Sequence, residues 1–456
     1  MTDHPRLPLT RKLAYALPAL SLAIVGIPVY VFIPKFYTDV VGVNIILVGY
    51  LLFGVRLFDA VTDPVIGYIS DNTRTRFGRR RPYMAAGSLC LALLLFLLFT
   101  PPAGATHTIA SVWFGVMLFL LFLFWTIVVV PYESLGPEIS YDYHERTVLF
   151  SWRDGFLILG TLIAAASPAI ITGLLGLTDN ASGQRQKFFW IAAIYAPLVI
   201  ACCWICVAAV KERRDLSPIQ RKGAVGEWVS VFRNRPFVIL LISYTIAAVG
   251  SNLPATLILY YVEYVLQATG AEFFLALYFV TGIVFLPPWI ALSRRIEKKW
   301  AWLAAMAVNT GAFLGVFFLG PGDTGWYGLL VVLSGIGFGA GLALPSAIQA
   351  DVIDYDEMMT DQRREGRYIG IWSIAKKIAA ALGIGIGLAV LGKAGYTPGQ
   401  PQNDTVVLTL RILYALVPCL CNLVALAVLI PFPISKAMHD DIRKTIAAAG
   451  AKGPNP

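Results

Sequence analysis

Apolar residues in this chain run in unbroken blocks instead of alternating with polar ones, as from Leu91 to Leu98. Twelve blocks stand out, at 13–36, 43–70, 84–102, 109–133, 148–176, 188–210, 236–265, 271–292, 300–319, 327–350, 367–392 and 406–432. Each is long enough to cross a hydrocarbon core of about 30 Å as a helix. Unbroken apolarity is not the alternation of an outer-membrane barrel, and in lipid every backbone polar group must find its partner within the segment. The pattern predicts an all-α polytopic membrane protein with twelve transmembrane helices. The longest polar stretch, 211–235, falls midway. It predicts an N-terminal six-helix bundle over 1–210, a central linker over 211–235, a C-terminal six-helix bundle over 236–434 and a tail over 435–456.

Composition agrees: 57% of the 456 residues are hydrophobic and 14% charged. The net charge of +9 would suit nucleic acid, but its distribution argues against that partner. With Lys35 and Arg367, at the ends of their blocks, counted with the adjoining loops, 27 of the 36 Lys and Arg fall in the tails and alternate loops, 4 in the intervening loops and 5 inside helices. That asymmetry places the linker and both termini in the cytoplasm of a bacterial-type inner membrane. The partners expected are a lipid bilayer and a small solute, with the chain acting as a monomer. The six cysteines lie in apolar stretches without metal-ligand spacing and read as packing residues. The first block is too long for the apolar region of a signal peptide and reads as an uncleaved first helix.

Two six-helix halves related by an axis along the membrane normal form the architecture of major facilitator transporters. Pro131 to Thr147 and Pro345 to Glu357, at the ends of the fourth and tenth blocks, echo each other with an acidic, Tyr-containing exit. That echo fits duplicated halves.

Charges inside the membrane are costly and mark function. In the second block Arg56, Asp59 and Asp63 lie within about 60° of one another on a helix. Two carboxylates one turn apart can hold Na⁺ between hard oxygens or share a proton. The alternative is a structural ion pair with Arg56, yet one arginine cannot neutralise two buried acids. Lys376 and Lys377 sit in the eleventh block; a buried lysine needs an anion, for which the acid pair is a candidate, and the alternative is that one of the two snorkels to an interface. Arg153 and Asp154 lie in the fifth block and Glu133 closes the fourth, either in a site or at an interface. The loop from Gly67 through Asp71, Arg76, Gly78 and Arg79 to Pro82 suits a conformational latch, and is also a topogenic basic loop. None of the four histidines is mid-membrane, and no Walker loop occurs, so neither a histidine relay nor ATP drive is indicated.

These motifs carry a resemblance. Lys12 to Tyr15, Phe36 to Gly42, Arg56 to Pro64, Asp71 to Pro82, Pro131 to Leu135, and Asp354-Tyr355 with Arg364 to Gly366 are similar to the glycoside–pentoside–hexuronide:cation symporter family of the major facilitator superfamily. The match runs over nearly the whole chain. The resemblance implies that Asp59 and Asp63 are cation-site acids, that Thr126 is a further cation ligand and that Lys377 faces the site. Thr62, which replaces an asparagine found between the acids in the family's melibiose permease, or Thr126 is expected to complete the cation's shell. Arg56 and Arg153 match family arginines. The two aspartates that grip the galactosyl group in that permease fall on Ala23 and Val129, and a neighbouring tryptophan falls on Glu133. Galactoside binding in the same manner is therefore not expected. Arg153, Glu133, Ala23, Val129, Asn252 and Trp372 form the expected solute-binding set.

The expected function is Na⁺- or H⁺-coupled symport of a sugar, sugar acid or glycoside by alternating access, with no cofactor beyond the coupling cation. A vertebrate lysophospholipid symporter resembles the same family, so an amphipathic substrate is the alternative. A membrane enzyme or a non-transporting sensor is the alternative of another class. No nucleophile–base or metal constellation at membrane depth suggests an enzyme, and the tails are short for a sensor.

Overall fold

A computed structural model describes residues 7–139, 143–210, 212, 230–360 and 364–451. Most of the linker at 211–235 and the end of the tail lie outside the described residues, as do Ser140 to Asp142 of the first acidic exit.

Twelve described helices are long and apolar enough to span a membrane. They are α1 Leu9–Val41, α2 Ile45–Asn72, α3 Arg81–Phe99, α4 His107–Ile139, α5 Tyr143–Leu175, α6 Ala181–Ala209, α7 Arg235–Tyr264, α8 Ala271–Ile296, α9 Lys298–Phe317, α10 Thr324–Thr360, α11 Glu365–Lys393 and α12 Asp404–Leu429. A further helix, α13 (Lys436–Ala451), comes after them. No strand occurs among the described residues, which agrees with the all-α expectation.

Local signals explain several starts. The Asn44 side chain accepts the N–H of Ile46 at 2.9 Å and opens α2. Asn180 accepts Gly183 N–H at 2.8 Å for α6, and Asn234 accepts Phe237 N–H at 3.2 Å for α7. The ends are harder to read. α4 does not close at Glu133 but continues to Ile139 through Pro131 and Pro137, and α10 runs through Pro345 to Thr360. The acidic exits expected at both places are helical wherever they are described. Hydropathy ends where the lipid ends, whereas backbone pairing continues into water.

The described chain divides into two units: Met1–Gln220 with Gly270–Ala276 and Ile384–Val406, and Arg221–Thr269 with Leu277–Gly383 and Val407–Pro456. In the first, α1 packs against α5 and α6, α2 against α4, and α3 against α4 and α6. At the α1–α5 crossing Gly160 meets the Leu20 carbonyl, and a Cβ added there would lie 2.9 Å from that of Ala23. Only glycine permits so close an approach. Buried hydroxyls are satisfied across helices, as where Tyr37 donates to Leu98 O at 2.6 Å.

In the second unit, α9 packs against α10 and α12, and α7 against α12. Phe237, Trp289, Trp302, Tyr368 and Trp372 belong to one buried cluster. Tyr261 donates to Val316 O at 2.7 Å, and Trp289 donates to Ile336 O at 2.7 Å.

Candidate functional site

The acid pair stands on α2, whose backbone passes through Pro64 without ending. Asp59 is 3% exposed and Thr126, facing it from α4, is 1% exposed. The Thr126 hydroxyl lies 2.7 Å from Asp59 Oδ1 and 3.3 Å from Asp63 Oδ1. One hydroxyl therefore bridges two carboxylates in a setting from which water is largely removed. With a single proton it donates to one acid at a time, and the shorter contact favours Asp59. An arriving cation would meet three hard oxygens, with the hydroxyl turning its lone pairs inward.

Arg56 completes the group at a distance. Its Nη1 is 3.5 Å from Asp59 Oδ2, at the outer limit of a hydrogen bond. Its guanidinium carbon lies 3.9 Å from the Tyr30 ring centroid and 5.2 Å from that of Phe122. Thr62 turns its hydroxyl back to the Asp59 carbonyl at 3.3 Å, so Thr126 and not Thr62 joins the acids here. Among the described residues no group of three or more His, Cys, Asp or Glu is placed to hold a metal.

The expected solute residues divide by unit. In the first, Arg153 donates through Nε to Asp154 Oδ1 at 2.9 Å and lies over the Phe150 ring. Asp154, Tyr15 and Glu133 all act electrostatically on its charge. Val129 and Glu133 are one turn apart on α4, so they share a face. Ala23 lies at the α1–α5 crossing. In the second, Asn252 donates to Ala248 O at 2.7 Å, and Trp372 is 8% exposed and stacked on Tyr244 with centroids 4.1 Å apart. Trp372 is thus part of a packed core. Lys377 stands half-buried on α11, and Lys376 is exposed on the same helix.

The loop after α2 is tied down more extensively than its sequence shows. Asp71 pairs with Arg80 at 2.9 Å, not with Arg79, which instead pairs with Glu138 on α4. Arg80 also reaches Glu138 at 3.0 Å and donates to Ser134 O. Glu212 accepts the backbone N–H groups of Arg79 at 2.6 Å, Arg80 at 2.9 Å and Arg81 at 2.6 Å. This carboxylate sits against the N-terminus of α3, where the helix dipole favours negative charge. Gly78 has φ +111°, and a Cβ there would lie 2.7 Å from the Glu212 carboxylate. Gly67 has Val130 at an ordinary 3.6 Å, so close packing does not explain it. Arg76 is exposed, over the Phe77 ring.

The second unit holds a comparable cluster that sequence reasoning missed. Arg364 grips Asp356 (4% exposed) through two hydrogen bonds, one of 2.8 Å, and reaches Ser230 Oγ at 3.0 Å. Its bonds to Asp356 raise the arginine pKa further above its ordinary value. Lys298 pairs with Asp351 at 2.6 Å, and His439 on α13 lies 3.0 Å from Asp354. The signal available was the arginine after α10 and the acids spaced along it.

A family model described as MFS/sugar transport protein matches residues 14–436. The chain belongs to this family. Within the MFS/sugar transport proteins its relatives bear out the resemblance to glycoside–pentoside–hexuronide transporters. The glucuronide carrier protein homolog of Escherichia coli (strain K12) is 27% identical over 418 residues, spanning 90% of this chain and 89% of that protein. The isoprimeverose transporter of Lactiplantibacillus pentosus is 28% identical over 422 residues, spanning 90% and 86%. Among solved structures, the nucleoside transporter NupG superposes with a TM-score of 0.65 at 12% identity, over 92% of this chain and 99% of that one. A structure titled for proton-dependent oligopeptide transporters gives a TM-score of 0.64 at 13% identity. At such identities these structures speak for the major facilitator fold alone. The chain is a multi-pass membrane transporter and not an enzyme.

Proposed function

We propose that this transporter is a cation-coupled symporter in which Na⁺ or H⁺ binds at Asp59, Asp63 and Thr126 and drives uptake of a sugar or sugar acid by alternating access. The observation that carries the reading is the Thr126 hydroxyl shared by two carboxylates, one of them 3% exposed. A pair of acids this close is stabilised by a proton or a small cation between them, and a solute alone has no need of it. A sugar acid is favoured over a galactoside because Ala23 and Val129 carry no carboxylate while α5 contributes the Arg153 guanidinium to the expected solute set. The glucuronide carrier homolog is in keeping with that choice. The apolar Ala23 and Val129 also suit a lysophospholipid-like solute, the second reading, and competition by a lysolipid against sugar-acid uptake separates the two.

The same proposal includes two six-helix halves, cytoplasmic termini, the inner membrane and a monomeric transporter. Uptake into proteoliposomes under imposed Na⁺ and pH gradients tests the coupling. Asp59→Asn and Asp63→Asn should each abolish concentrative uptake while allowing some solute exchange. Full accumulation by Asp59→Asn would place the coupling site elsewhere.

A further inference from the structure

The helix that follows the twelve spans is tied to the second unit at several points. α13 (Lys436–Ala451) starts after Ser435, whose hydroxyl accepts Met438 N–H at 3.3 Å. Glu297, the residue before α9, accepts Lys436 N–H at 3.2 Å. Lys299 donates to the carbonyls of Ile430 at 2.6 Å and Phe432 at 3.0 Å, just beyond α12. Met438 packs against the buried cluster that holds Phe432, Ile434 and Trp372, and Ile442 is 2% exposed. α13 thus packs on α10 while the chain leading to it is bound to the start of α9.

Within this joint one imidazole stands between two carboxylates. His439 Nε2 lies 3.0 Å from Asp354 Oδ2 and 3.3 Å from Asp351 Oδ1, both on α10. An ionised carboxylate only accepts, so Nε2 carries hydrogen in either protonation state and the ring's second proton goes to Nδ1. Asp351 is also paired with Lys298 at 2.6 Å, whereas Asp354 pairs with His439. Two acids and one lysine leave one negative charge, which a protonated ring balances and a neutral ring does not. The other charged groups near the joint are Glu297 and, on α13 itself, Lys436, Asp440 and Arg443, all three exposed and so screened by water. Asp356 lies on another face of α10, held by Arg364, and Tyr355 packs on the buried cluster.

We propose that α13 is a pH-sensitive clasp on the end of α10, closed when His439 carries its second proton and loosened when that proton leaves. The charged ring is drawn to both carboxylates by charge-assisted hydrogen bonds, while the neutral ring has one ordinary donor to share between them. An imidazole exchanges this proton between about pH 5 and 8. Docking is therefore tightest at the acid end of that range and weakens as pH rises through it. How firmly the ends of α9, α10 and α12 are held together then follows the pH of the compartment that bathes α13. The clasp goes beyond the symport reading and does not depend on it, since none of its groups belongs to the cation or solute set.

Hydrogen exchange of the purified full-length protein tests the clasp. The peptide covering α13 is read at pH 6 and pH 8, with rates corrected for the intrinsic pH dependence of amide exchange. In the wild type the corrected rate should be roughly five-fold faster at pH 8, the scale set by a partly exposed ion pair. His439→Gln keeps a donor without the charge and should abolish that ratio. His439→Lys stays charged and should protect the helix at both pH values. Equal corrected rates in the wild type, a wild-type ratio in His439→Gln, or loosening of His439→Lys at pH 8 as in the wild type would each overturn the proposal. So would the same five-fold ratio in peptides from α3 or α4, because the effect would then be global. The assay needs no solute and no cation gradient, so its outcome stands apart from that of the uptake experiments.

Discussion

Thr126→Val is the sharpest probe of the acid pair. Valine matches threonine in shape and removes only the hydroxyl that lies 2.7 Å from Asp59 and 3.3 Å from Asp63. Because one oxygen reaches both acids, the two Oδ1 atoms are within about 6 Å, where two full charges repel by about 3 kcal/mol at an effective dielectric of about 20. A bound cation relieves that repulsion, and Thr126 supplies its uncharged ligand. A hydrogen bond to a charged group is worth about 1.5–3 kcal/mol, and loss of a neutral ligand is expected on the same scale. At about 1.4 kcal/mol per ten-fold, the cation concentration for half-maximal uptake should rise roughly ten- to hundred-fold. Thr126→Ser retains the hydroxyl and should remain within about three-fold. The assay is initial uptake into proteoliposomes as a function of Na⁺ at fixed pH, and of pH without Na⁺. Maximal rate at saturating cation should change far less than the half-saturation point. If the valine variant keeps the wild-type cation dependence, the hydroxyl is only a packing partner of Asp59 and the proposed donor set is wrong.

Gly78→Ala places a side chain at φ +111° and into the Glu212 carboxylate, so it should destabilise the loop by about 1–3 kcal/mol and slow transport while leaving solute affinity within a few-fold. Neutralising Arg79 or Asp71 should act in the same direction, measured as exchange rate against binding; lost binding at an unchanged rate would remove the latch from the loop. Gly160→Leu should force α1 from α5 at Ala23 and lower the unfolding temperature, at a cost of about 1–3 kcal/mol or more; an unchanged temperature would mean that the crossing is not tight. Single cysteines in the 211–235 stretch should resist impermeant maleimide added outside intact cells, and labelling from outside would invert the proposed topology.

The acid pair was legible because a 3.6-residue period is local: Asp59 and Asp63 share a face whatever surrounds them. The twelve apolar blocks were legible for the same reason, since lipid imposes its length on each span separately. Contacts across the chain obey no such rule. Arg80 and Glu138 become neighbours only when α3 and α4 are assembled, and Arg79 and Glu212 only when the chain after α6 returns to the start of α3. A basic loop read alone shows its charge but not its partner. Thr62 shows the converse. It is adjacent to an acid in sequence, yet its hydroxyl is satisfied by the carbonyl one turn back, a bond available to any helical threonine.

Arg56 marks the point where the two kinds of information meet. Its place on the α2 face was set by periodicity, and that alone suggested an ion pair with the acids. Beside it stands a ring from α1, delivered by a π-helical turn whose register no hydrophobic count reveals. In a low-dielectric site both contacts of the guanidinium matter, the 3.5 Å approach to Asp59 and the ring of Tyr30. The sequence supplies the charges of the site, and the assembled helices determine which groups each of them meets.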